Sequence, residues 1–189
     1  MTEPLFLIFI AVSVLSITTI YVTESVRIAL LFLLGLYGIV FFQLIQVWPV
    51  GLSLVVLIAG LLVVLIINTY CSGLVILVDA PRNILDIFLV VFAGVIAFAF
   101  APQLRSFLNA PLQILISGVF LLTVGLLQTG VSTHPFRVLV SVFIMILGFL
   151  LIYAPLEGSA LIMALFAFIQ ITLAFVLSRM IMRSKEHKA

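Results

Sequence analysis

Long apolar stretches separated by short polar breaks set the pattern of the chain. Seven stretches, at about residues 5–21, 26–46, 50–70, 84–100, 112–128, 136–153 and 159–182, are each apolar over a length close to the roughly 17–25 residues of a membrane-crossing helix. The breaks are Thr23-Glu24-Ser25, Trp48-Pro49, Asp79-Ala80-Pro81-Arg82-Asn83, Pro102-Gln103-Leu104-Arg105, residues 130–135 and Pro155-Leu156-Glu157-Gly158. Proline stands at most of them, as expected of a residue that starts helices readily and disrupts their interiors. The run from Leu52 through Ile67 shows no alternation of apolar and polar residues, which a membrane β-barrel strand would need. The pattern therefore predicts an all-α, polytopic transmembrane bundle of about seven helices. Residues 72–78 are apolar but too short to span, and extend the third helix or form an interfacial turn.

Composition agrees. Of 189 residues, 66% are apolar and 7% charged, against roughly 45–50% and about 25% in soluble domains. Too few charges remain to cover a water-facing surface. The first stretch carries Glu3 where a secretory signal has basic residues, and it shows no small-x-small cleavage pattern before Glu24, so it reads as a retained span. No linker or low-complexity segment divides the chain, which predicts one domain over residues 1–189.

Charge placement predicts the orientation. With seven spans, Arg27, Arg82, Arg137, Arg179, Arg183, Lys185 and Lys188 fall on one side of the membrane and only Arg105 on the other. Basic residues accumulate on the cytoplasmic side, so the N-terminus is expected outside and the C-terminus inside. The net charge of +2 reflects this bias and implies no nucleic-acid partner.

Candidate chemistry is sparse. Intramembrane ionisable groups are functional candidates by default, yet the middle of every span lacks them. Glu24, Asp79, Asp86 and Glu157 sit at or near helix ends; Asp86 is expected to form a solvated pair with Arg82, one turn before it, and Glu157 to favour a helix N-terminus. His134 and His187 lie outside the spans and both lysines in the tail, which argues against haem ligation and a Schiff base. Cys71 alone forms neither an intrachain disulfide nor a multi-cysteine metal cluster. No cofactor, metal or catalytic residue is expected. The neutral polar residues within spans, Ser13, Ser16, Gln43, Ser53, Ser117, Thr123, Ser141, Gln170 and Thr172, are expected to join helices to one another, with Ser141, Gln170 and Thr172 the main candidates. Gln170 and Thr172, two apart, cannot share one helix face. Gly35 with Gly38, Ala93 with Ala97, Gly118 with Gly125 and Ala160 with Ala164 are small-residue pairs suited to close helix packing.

Residues 111–189 carry a resemblance. His134-Pro-Phe-Arg137 leads into Ser141-Val-Phe-Ile-Met-Ile146; Glu157-Gly-Ser-Ala160 opens the last span, Gln170-Ile-Thr172 occupies its middle, and Arg179 and Arg183 close it. This arrangement resembles the three-helix K-type subunit of respiratory complex I and the end of the E component of hydrogenase-4 and formate hydrogenlyase, relatives of the Mrp antiporters. Residues 1–110 would be the further helices that precede this unit in the E component. The resemblance implies docking, within lipid, against larger antiporter-like membrane subunits of a hetero-oligomeric complex. It also implies two buried glutamates, but Phe143 stands at the first position and Thr172 near the second. Neither side chain relays a proton at physiological pH. The expectation is a non-catalytic assembly subunit of an ion-translocating complex, without a proton relay of its own, in a bacterial or archaeal cytoplasmic membrane. The alternative is a self-contained small transporter or channel acting as a homo-oligomer.

Overall fold

The computed structural model describes residues 3–23, 25–71, 80–108 and 110–186. The expectations for Glu24, residues 72–78, Asp79, His187 and Lys188, and for the side chains of Arg82 and Lys185, lie outside what is described. Among the described residues the chain forms seven helices: α1 (Glu3–Val22), α2 (Val26–Leu44), α3 (Val50–Cys71), α4 (Ala80–Leu108), α5 (Leu112–Val131), α6 (Pro135–Tyr153) and α7 (Ala160–Glu186). Six of them, α2 to α7, are long and apolar enough to cross a membrane, and α1 contributes a shorter apolar stretch, Ile8–Val22. The chain is an integral membrane protein with an all-α bundle fold.

The helices close into a ring in the order α1, α2, α3, α7, α6, α5, α4 and back to α1, with α2 touching α6 across it. α3, α4 and α7 each turn a narrow stripe inward, whereas α5 and α6 are buried over most of their surface. On α3 the buried stripe is Ser53, Val56, Gly60, Val63, Ile67 and Cys71, the three- and four-residue spacing of one helix face. Outward faces carry large apolar residues such as Leu31, Phe88 and Phe168, as a lipid-facing surface requires. One end of the ring holds Arg27, Arg137, Arg179 and Arg183 and is called here the basic end; the opposite end holds Trp48 and Arg105.

The tightest contact is the α5–α6 hairpin. Its turn is three residues, Ser132 to His134, and Pro135 opens α6 at a position where its missing N–H costs nothing. The two backbones touch because glycine stands at each crossing point. A Cβ on Gly125 would lie 2.5 Å from the Met145 nitrogen, and one on Gly118 would lie 3.1 Å from the Gly148 carbonyl oxygen. Gly148 in turn abuts the backbone of Leu122. The other small-residue expectations divide. Ala93 and Ala97 are buried, as close packing demands, whereas Gly35, Ala160 and Ala164 lie on exposed faces.

A second difference lies in α4. The polar break at Pro102-Gln103-Leu104-Arg105 is helical, and α4 continues through Pro102 to Leu108. Proline removes one backbone bond, to the carbonyl of Phe98, yet Pro102 is exposed near the bundle's end, where that carbonyl can be solvated.

Candidate functional site: interhelical polar clusters

Polar contacts tie non-adjacent stretches of chain together at three depths. At the Trp48 end, Gln43 of α2 donates from Nε2 to Ser117 Oγ of α5 at 3.1 Å. Near mid-bundle, the Tyr37 hydroxyl of α2 donates to Gln170 Oε1 of α7 at 2.8 Å, both side chains buried. Gly60 of α3 lies directly against the Tyr37 ring, and any side chain there would collide with it. Outside these helices, the Trp48 indole donates from Nε1 to the backbone oxygen of Glu157 at 3.1 Å, joining the α2–α3 and α6–α7 connections.

The third cluster, at the basic end, is the richest. Arg137, the third residue of α6, donates from Nη1 to Asp86 Oδ2 of α4 at 3.0 Å. The side chains are 3% and 1% exposed, so this is a fully buried ion pair. One turn along α6, Ser141 Oγ donates to the Arg137 carbonyl oxygen at 2.7 Å. That bond uses the only hydroxyl hydrogen of Ser141. The Tyr21 hydroxyl of α1, 2.8 Å from Ser141 Oγ, is therefore the donor in their contact. A chain of hydroxyls thus runs from Tyr21 through Ser141 and stops on a carbonyl.

One sequence expectation is corrected here. Asp86 is not solvated: it is buried and held by Arg137 of another helix, while the side chain of Arg82 lies outside what is described. The pair sits within the first two turns of α4 and α6, yet Asp86 is turned inward. The reason is helix phase. Asp86, Val90, Ala93, Ala97 and Ala101 are all buried at helical spacing, so Asp86 heads the inward stripe of α4. That spacing is readable in the sequence and points Asp86 inward; nothing in the sequence assigns Arg137 as its partner. Pairing is the condition for burial, since an uncompensated charge in so apolar an environment costs several kcal/mol.

The remaining expected sites fall as follows. Ser141 and Gln170 are interhelical contacts, as predicted. Thr172 is not: it faces outward on α7, and the inward residue on that turn is Gln170. Thr172, which the resemblance sets near the second glutamate position, is exposed. Phe143 is fully buried. Glu157 is exposed, three residues before α7 begins, and it engages the fold through its backbone oxygen. Tyr21, Tyr37 and Gln128, all fully buried or nearly so, were not singled out by sequence reasoning. Ser13 and Ser53 bond back to the carbonyls of Phe9 and Pro49 in their own helices or at their starts. Among the described residues no group of three or more His, Cys, Asp or Glu side chains is placed to hold a metal ion.

Comparison of the chain with protein-family profiles, with curated proteins and with solved structures gives no match.

Proposed function

We propose that this protein is a structural, assembly-type subunit of a multisubunit ion-translocating membrane complex of the complex I, hydrogenase-4 and Mrp antiporter kind, and that it has no transmembrane proton relay of its own. The observation that carries the second half is the hydroxyl chain. A proton relay needs each group to accept on one side and donate on the other, and the Tyr21–Ser141 chain ends on the Arg137 carbonyl, which cannot pass a proton on. Further up, Phe143 fills the interior of α6 and Gln170 is held by Tyr37. Both support a bundle whose polar groups fasten helices.

The assembly half rests on the resemblance of residues 111–189, read together with the exposed face of α7. Leu161, Leu165, Phe168, Val176 and Met180 face outward along nearly its whole length, leaving a broad apolar strip for lipid or for a larger companion subunit. In this reading the basic end faces the cytoplasm of a bacterium or archaeon, with the N-terminus outside. Extraction in mild detergent followed by native mass spectrometry tests the proposal. A larger antiporter-like membrane protein travelling with the chain is the expected result; a pure homo-oligomer overturns it in favour of a self-contained transporter.

A further inference from the structure

The polar atoms of the basic-end cluster do not close on one another. Asp86 Oδ1, Arg137 Nη2, both amide atoms of Gln128 and Ser132 Oγ are buried without a hydrogen-bond partner among the described residues. An unpaired buried polar group costs about 1–3 kcal/mol, and more when it is charged. Five such atoms in one region therefore call for a ligand.

The fold brings them together. Gly125 of α5 lies against Ser141 and Met145 of α6, so in this antiparallel hairpin Gln128 stands level with the first two turns of α6, which hold Arg137 and Ser141. Gln128 also belongs to the stripe Ser117, Leu121, Val124, Gln128, all buried, whose first member meets Gln43 of α2. That stripe faces the ring's interior. Ser132 follows one turn later, its backbone N–H bonded to the Gln128 carbonyl at 2.8 Å, and opens the α5–α6 turn. The unpartnered atoms thus run in a file from the turn at the basic end to the Asp86–Arg137 pair.

The character of the ligand follows from charge and from the donor and acceptor balance. The pair is neutral as a whole: a cation drawn to Asp86 meets the guanidinium of Arg137, and an anion meets the reverse. The free valences are two donors (Arg137 Nη2 and Gln128 Nε2), two acceptors (Asp86 Oδ1 and Gln128 Oε1) and the Ser132 hydroxyl, which does both. A small neutral molecule that donates and accepts equally satisfies all of them. Water does this, and buried waters typically make about three such bonds. We propose that a file of water enters the bundle at the α5–α6 turn past Ser132, bridges Gln128, and ends on the Asp86–Arg137 pair. It is a one-sided inlet. The hydroxyls beyond it stop on a carbonyl, so the inlet is independent of the assembly reading and compatible with a bundle that carries no relay.

Water-edited solid-state NMR on isotope-labelled protein in lipid bilayers tests this. Polarisation from water should reach the Arg137 guanidinium and the Gln128 side-chain amide at a rate close to that for exposed Arg105. It should far exceed the rate at the core methyls of Leu33 and Val63. Ser132→Leu, at the mouth, should slow transfer to Arg137 while leaving Arg105 unchanged. Transfer to Arg137 and Gln128 as slow as to the core methyls overturns the proposal. So does transfer to Arg137 that Ser132→Leu leaves untouched, because the route is then wrong. A shift of the Asp86 carboxyl or Arg137 Cζ resonance on titration with sodium chloride at constant pH would mark an ion site and overturns it as well.

Discussion

At the scale of single residues, the Asp86–Arg137 pair dominates the energetics. Replacing one partner leaves the other charged, buried and alone, which typically costs about 3–5 kcal/mol. Asp86→Leu and Arg137→Met are each expected to destabilise by about that much, while the double variant recovers most of the loss because apolar residues can replace a buried pair. Unfolding in detergent micelles measures this, with exposed Arg105→Met as the reference. Single variants as mild as that reference would show that the pair is not buried as described. The Tyr37–Gln170 bond is a smaller matter: Tyr37→Phe and Gln170→Leu should couple in a double-mutant cycle by about 0.6 kcal/mol and at most roughly 1.7. Legibility at this scale was uneven. Gln43, Ser141 and Gln170 could be listed from the sequence but Tyr21, Tyr37 and Gln128 were not, and a pairing between helices remote in sequence leaves no periodic trace. Thr172 was misplaced for a related reason: two residues apart on a helix means opposing faces, and sequence alone did not say which of Gln170 and Thr172 turned inward.

Helices were far easier to read, because hydropathy over some twenty residues is a property of the solvent the helix must meet. The seven elements start and stop close to the predicted breaks. The exception is α4, where Pro102 among polar neighbours has the composition of a loop but sits near a helix end that tolerates it. Packing between elements gives the sharpest contrast among glycines. Gly148→Val should separate α5 from α6, because its Cβ meets the Leu122 backbone, whereas Gly35→Ala, with open space around it, should be neutral or slightly stabilising. Overpacking of this kind costs typically about 1–3 kcal/mol, and more when backbone must move. Thermal unfolding of the two variants side by side checks the prediction; equal loss in both would mean that the α5–α6 contact is looser than the structure has it.

For the molecule as a whole, orientation and partnership are the open predictions. Reporter fusions at Ala110 and after Ala189 should report opposite compartments, with the C-terminus in the cytoplasm, since the sequence pattern puts seven of the eight Lys and Arg residues on one side. Within the proposed complex, the combined variant Ser141→Ala, Thr172→Val, Gln170→Leu should assemble and translocate ions nearly as the parent does; assembly with collapsed translocation would place a conducting path through this chain. The long α4 sets a further condition, on the membrane itself. Its 29 residues span about 43 Å, against about 28 Å for the 19 residues of α6. Its exposed apolar side chains run from Ile84 to Phe100, a stretch of about 24 Å, within the roughly 30 Å hydrocarbon layer of a typical bilayer, and exposed Gln103, Arg105 and Ser106 follow. A thicker bilayer would draw these polar residues into hydrocarbon, at a modest cost for each ångström of mismatch. Reconstituted in lipids of increasing acyl length, the bundle should lose heat stability in the thickest bilayers, so that membrane thickness becomes a lever on its stability.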